Sequence, residues 1–175
     1  KLRIDAKAST IELAPGMALD FGALAKGYGA MAGARLLASK GVRSGLLDVG
    51  GCVVCIGSGA KSRPWRIGVQ NPGAAPGIYE RFLEASGKRY PHIMDTRTGR
   101  PVEGRLVSVT VVLPRKVNSD GPPLAILVLG PEEGLAFADR QGLPAVLVTD
   151  DRRILLSKAA VPLFTLLDPI YTLVP

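Results

Sequence analysis

The chain has 175 residues, of which 47% are hydrophobic and 21% charged, with a mean hydropathy of +0.23, so it can bury the core of one domain and its composition excludes disorder. Its longest uninterrupted apolar run, Leu124 to Leu129, is far below the ~20 residues of a membrane-spanning helix. The formal charge of +7 lies wholly between Lys61 and Lys116, a field that attracts phosphates. With only 5% aromatic residues, none interleaved with Arg or Lys, it does not mark a nucleic-acid binder. No initiator Met or leader precedes Lys1-Leu2-Arg3-Ile4, and the start reads as the interior of a longer protein.

Loose alternation of Leu2, Ile4, Ile11 and Leu13 predicts paired strands that end at the Pro15-Gly16 turn. From Phe21 to Lys40 the period turns helical, with Leu24, Tyr28, Met31 and Leu36-Leu37 three or four residues apart and Gly41 as the stop. Gly27, Gly29 and Gly33 each cost that helix about 1 kcal/mol against Ala, which implies close approach of a strand or a ligand. Gly45–Val49 and Cys52–Ile56 are strand-like around Gly50-Gly51, and Trp65–Val69 is expected as a further strand of the same sheet. Cys52 and Cys55 stand three apart on a strand and point to opposite faces; with His92 the single histidine they cannot complete a zinc site, and both are expected as small core residues.

Tyr79 to Leu83 and Arg89 to Met94 flank a turn at Ser86-Gly87-Lys88. Asp95 to Gly104 is expected as a polar loop, and Leu106 to Leu113 as the strongest strand. Asp120 opens a second helical region that resumes after Gly130-Pro131 and runs to Arg140, and Ala145–Thr149 with Ile154–Ser157 forms a closing hairpin. Antiparallel hairpins with two or three helices define an α+β layer fold. The domain is expected over residues 1–160, followed by an apolar tail at 161–175.

Four constellations could carry chemistry. Gly27-Tyr28-Gly29-Ala30-Met31-Ala32 matches a dinucleotide fingerprint, but no hydrophobic strand runs into Gly27, and the chain lacks strand–helix alternation. Lys26, among small residues at a helix start, suits an anion such as a diphosphate, against the ordinary alternative of a surface lysine. His92-Ile93-Met94-Asp95-Thr96-Arg97-Thr98-Gly99 puts an imidazole, a carboxylate, a guanidinium and hydroxyls within eight residues, enough for a general base with phosphate contacts. Asp120 before an apolar helix is ordinarily an N-cap, the stronger reading, with a carboxylate of the kind that holds Mg²⁺ beside a phosphate as the alternative.

Taken in order, Leu19 to Tyr28, Leu47-Asp48-Val49-Gly50-Gly51, Pro64 to Pro72, Tyr79-Glu80-Arg81-Phe82, His92 to Gly99, Leu106 to Val111, Asp120 and Leu127 to Glu132 resemble the ApbE family of flavin transferases. The resemblance implies a T-fold-like arrangement of layered antiparallel sheets with packed helices. It also implies Mg²⁺-dependent cleavage of FAD, with FMN transferred to a Ser or Thr of an acceptor protein, such as a membrane redox subunit, and AMP released. Some relatives hydrolyse FAD instead. On the same resemblance Asp120 and the Ala23 carbonyl hold the metal, Lys26, Tyr79, Asp95 and Thr98 contact the flavin nucleotide, and His92 lies beside the reacting phosphate. Exported, periplasmic or lipid-anchored location is the family's usual address. The family's metal-binding Thr, four residues after the Asp, is Leu124 in this chain.

Overall fold

The computed structural model describes residues 2–69, 82–85, 88–91, 93–102, 104–114 and 120–174. Strands β1 (Leu2–Asp5) and β2 (Thr10–Leu13) form the expected first hairpin. Helix α1 (Gly22–Ser39) follows and lies against the hairpin of β3 (Gly45–Val49) and β4 (Cys52–Ile56). The face that α1 buries is not its periodic apolar stripe: Gly27, Ala30 and Ala34 are buried, whereas Leu24, Tyr28 and Leu36 are exposed. Small residues face the sheet because helix and hairpin approach closely, and a Cβ on Gly33 would sit 3.0 Å from the Leu47 Cδ2. The return from β4 needs a glycine outright, since a Cβ on Gly57 would lie 2.0 Å from the Arg43 carbonyl oxygen.

Trp65–Val69 does not form the expected strand. The segment is held instead by the Trp65 indole, which donates to the Gly57 carbonyl at 3.1 Å, and by the Gly59 amide, which donates to the Arg63 carbonyl at 2.8 Å. Strands β5 (Phe82–Ala85) and β6 (Lys88–Pro91) pair as a hairpin. Within the expected polar loop, β7 (Met94–Asp95) and β8 (Arg100–Pro101) make a short ladder.

The main core belongs to the C-terminal layer. Strand β9 (Leu106–Val111), helix α2 (Gly121–Arg140), and strands β10 (Ala145–Thr149), β11 (Arg153–Leu156) and β12 (Thr172–Val174) build a sheet in the order β12-β11-β10-β9 with α2 packed on one face. The β10–β11 pair is the expected antiparallel hairpin; β9 joins β10 antiparallel on its other side, and β12 joins β11 in parallel. Strand alternation assigns each face its own cluster. Leu147 and Ala145 of β10 pack with Leu106, Ile126 and Ala138, while Val148 packs with Ile154 and Tyr171. Full burial of side chains such as Leu147 and Ile126 contributes roughly 1.5–3 kcal/mol each. Buried Ser157 is satisfied, its hydroxyl donating to the Leu143 carbonyl at 2.7 Å and accepting from the Ala145 amide at 2.8 Å.

Helix α2 is two helices folded back at Gly130, whose φ of 83° and ψ of −177° leave the helical region just before Pro131. The reversal brings Gly134 onto the first half, where a Cβ would lie 2.7 Å from the Ile126 carbonyl oxygen. Only a glycine allows that contact between the halves.

Candidate functional site

Three chain segments meet at one place. At the start of α1, the Asp20 carboxylate accepts the Gly22 amide at 2.6 Å, and the Phe21 carbonyl accepts the Leu24 and Ala25 amides at 2.9 Å. These bonds fix the first turn of α1, and the carbonyl of Ala23 in that turn also has a partner outside the helix. That partner is the amide of Asp120, at 3.0 Å, which ties the start of α2 to the start of α1. Asp120 sits at the N-cap position of α2, yet its side chain makes no cap hydrogen bond. Its carboxylate is therefore not consumed in the ordinary role of an Asp before a helix.

The third segment is the turn between β3 and β4. Gly50 and Gly51 have φ of +57° and +87°, the sign a two-residue hairpin turn requires, and Asp48 accepts the Gly51 amide at 2.9 Å. The Lys26 side chain lies alongside Gly50: a Cβ there would be in ordinary contact, at 3.6 Å, with both the Cε and the Nζ of the lysine. Cys52, the residue after Gly51, lies beside the Asp120 carboxylate. Burial pushes this thiol above the usual cysteine range, the negative charges of Asp120 and Asp48 push it the same way, and the Lys26 ammonium pulls it down. Neither cysteine is a core residue as expected; both are half-buried and free of any disulfide.

Lys26, the Ala23 carbonyl and Asp120 thus lie near one another, with Asp48 and Cys52 beside them. Asp95 and Thr98 lie elsewhere, at the β7–β8 turn. Asp95 accepts the Arg97 amide at 2.8 Å and the Arg97 guanidinium through both oxygens, at 3.0 Å from Nε and 2.9 Å from Nη2. The guanidinium holds the Asp95 carboxyl below the usual range. The Thr98 hydroxyl accepts the Arg100 amide at 3.2 Å. This turn docks on α2 at Val128, about 12 Å along the helix from Asp120 at ~1.5 Å per residue. His92 and Tyr79, the other two expected site residues, lie outside the described residues.

Two participants escaped the sequence reading. Cys52 looked like core because its neighbours are apolar; the signal was its place directly after the paired glycines of a turn. The sequence offers the Arg97 guanidinium for phosphate contacts, whereas the structure pairs it with Asp95 and the Val128 carbonyl, which nothing local marks as its acceptor.

The donors that meet are oxygens of a carboxylate and a carbonyl, which suit a hard divalent cation that takes its remaining ligands from water and phosphate. Among the described residues no group of three or more His, Cys, Asp and Glu forms a self-sufficient metal cage.

The ApbE family model matches residues 1–147. The chain belongs to the ApbE family. It is 32% identical over 154 residues to an FAD:protein FMN transferase of Escherichia coli, covering 78% of this chain and 44% of that protein. It is likewise 32% identical over 191 residues to an FAD:protein FMN transferase of Treponema pallidum, covering 94% of this chain and 53% of that one. The apo structure of the ApbE flavinyl transferase of Pseudomonas stutzeri superposes with a TM-score of 0.77 at 32% identity, over 93% of this chain and 56% of that chain. An ApbE protein of Thermotoga maritima superposes with a TM-score of 0.80 at 26% identity, over 93% and 58%. The chain spans about half the length of the relatives it matches. Its mixed α+β architecture, two helices with several small sheets, is that of ApbE structures.

Proposed function

We propose that this ApbE-family chain forms the phosphate- and metal-facing part of a flavin transferase. FAD is cleaved at its diphosphate, and FMN passes to a Ser or Thr hydroxyl of an acceptor protein. The observation that carries this reading is the bond from the Asp120 amide to the Ala23 carbonyl, which sets a carboxylate left free of capping beside a carbonyl oxygen, with Lys26 anchored at Gly50 nearby.

Each residue has a task that follows from its chemistry. The Asp120 carboxylate and the Ala23 carbonyl are the groups that would hold Mg²⁺, which would supply neutralisation of charge on the diphosphate. The Lys26 ammonium binds and orients the same anion, its stem held against Gly50. His92 takes the proton of the acceptor hydroxyl as that oxygen bonds to the phosphorus on the FMN side. The bond from that phosphorus to the bridging oxygen breaks, and AMP leaves with the electron pair. The acceptor belongs among membrane redox subunits, and the site of action is the periplasm or the outer face of a membrane.

A second reading, a flavin-binding relative or an FAD pyrophosphatase, is favoured by Leu124 at the position of the family's metal-binding Thr. Incubation of the purified chain with FAD, with and without Mg²⁺, followed by separation of the nucleotides, decides between them. Mg²⁺-dependent AMP release with FMN retained on an added acceptor supports transfer. Release of AMP and free FMN alone supports hydrolysis, and FAD binding without AMP supports the binding relative.

A further inference from the structure

Arg97 makes contacts that the proposed chemistry does not use. Its guanidinium grips both oxygens of Asp95, and the same Nη2 reaches across to the Val128 carbonyl at 3.3 Å. That carbonyl is in the last turn before Gly130, whose φ of 83° and ψ of −177° an α-helical bond to the residue four further on cannot span. The next residue, Pro131, has no amide hydrogen to offer the preceding turn either. Val128 thus presents an acceptor at the negative end of the first half of α2, where a cation is favoured. Glu133, just past the kink, adds its charge to the field that stabilises the guanidinium.

The geometry points to Arg97 as a positioning residue: with Asp95 it latches the β7–β8 hairpin to the kink of α2. The latch fixes the segment that immediately follows His92 against the same helix that begins at Asp120, and in this it rests on the reading of His92 and Asp120 as site residues. Arg is the residue such a latch needs, because one planar fork serves a carboxylate and a carbonyl together. Lysine would keep the charge and lose the fork. Among the described residues the turn's other bonds are local, the Gly99 and Thr98 amides donating to the Asp95 carbonyl at 2.8 and 3.2 Å, so they close the hairpin without attaching it to α2.

The test is hydrogen–deuterium exchange on the full chain and on Arg97→Ala and Arg97→Lys, with Mg²⁺-dependent AMP release measured in parallel. The latch predicts that Arg97→Ala speeds exchange over residues 93–102 by about tenfold, while the β9–β11 strands stay within about twofold of the parent. Arg97→Lys falls between. The kcat for AMP release drops by about 10- to 100-fold in Arg97→Ala, with KM for FAD within about threefold, as expected when a reacting group is misplaced and substrate binding is spared. In Asp95→Asn/Arg97→Ala the loss is no greater than in the more damaging single variant, since the two residues form one device. Unchanged exchange at 93–102 overturns the latch. Faster exchange with unchanged kcat overturns the positioning role. A parent chain that releases no AMP contradicts the proposed function, whereas the latch is then judged on the exchange data alone.

Discussion

The two layers of this chain are built to different rules. In the C-terminal layer both faces of the β9–β12 sheet are covered, and Leu147, Ala145 and Ile126 have no exposed surface. In the N-terminal layer α1 buries only Gly27, Ala30 and Ala34, and turns Leu24, Tyr28 and Leu36 outward, 43%, 65% and 59% exposed. Leu46 and Val53 of the β3–β4 hairpin are exposed as well. The larger apolar core therefore belongs to the C-terminal layer. The candidate chemistry lies on the seam between the two, where the amide of Asp120, rooted in the packed layer, meets the carbonyl of Ala23 in the open one.

Substitutions on and off the seam should separate chemistry from stability. His92→Ala is expected to lower FMN transfer by about 10²- to 10⁴-fold, the usual contribution of a general base, with an unchanged melting temperature; parent-level turnover would remove His92 from the reaction. Leu147→Ala is the converse, a loss of about 2–5 kcal/mol in denaturant titration. Leu36→Ala, of the same chemistry on the exposed face of α1, should stay within about 0.5 kcal/mol of the parent. Equal losses from the two leucine variants would erase the distinction between the layers.

Much of this was legible beforehand. Both N-terminal hairpins, the span of α1 and the β10–β11 hairpin follow from alternation, helical period and glycine punctuation, all local signals. What stayed hidden depends on partners distant in sequence. Trp65–Val69 has the composition of a strand, but its tryptophan is spent on the Gly57 carbonyl. The apolar stripe of α1 has the right period and the opposite orientation, because the contact with β3–β4 is too close for any but small residues. Residue chemistry nominates Lys26 and Asp120, and motif order adds the Ala23 carbonyl, whereas the approach of Cys52 to Asp120 is visible only once α2 is seated against the β3–β4 turn.

Smaller effects sharpen the same contrast. Leu124→Thr restores an oxygen one turn after Asp120 and should tighten Mg²⁺ binding several-fold, by about 1 kcal/mol, in calorimetric titration; an unchanged affinity would place Leu124 away from the ion. In the packed layer Asp151 accepts the Thr149 hydroxyl and the Arg153 guanidinium, which lower its pKa from 3.8 to about 2. A carboxyl depressed in the folded state contributes stability that is complete above its unfolded pKa and lost as pH falls through its folded one. Between about pH 4 and pH 2 the melting temperature of the parent should thus fall more steeply than that of Asp151→Asn. Parallel profiles would show that this turn contributes nothing to acid stability.

The most direct test of the seam as the site is a titration with Mn²⁺, followed by its electron paramagnetic resonance signal, on the parent chain and on Asp120→Asn. The account predicts one site in the parent, weakened by about tenfold or more when the carboxylate becomes an amide, with the melting temperature retained. Equal Mn²⁺ affinity in the two proteins would contradict it.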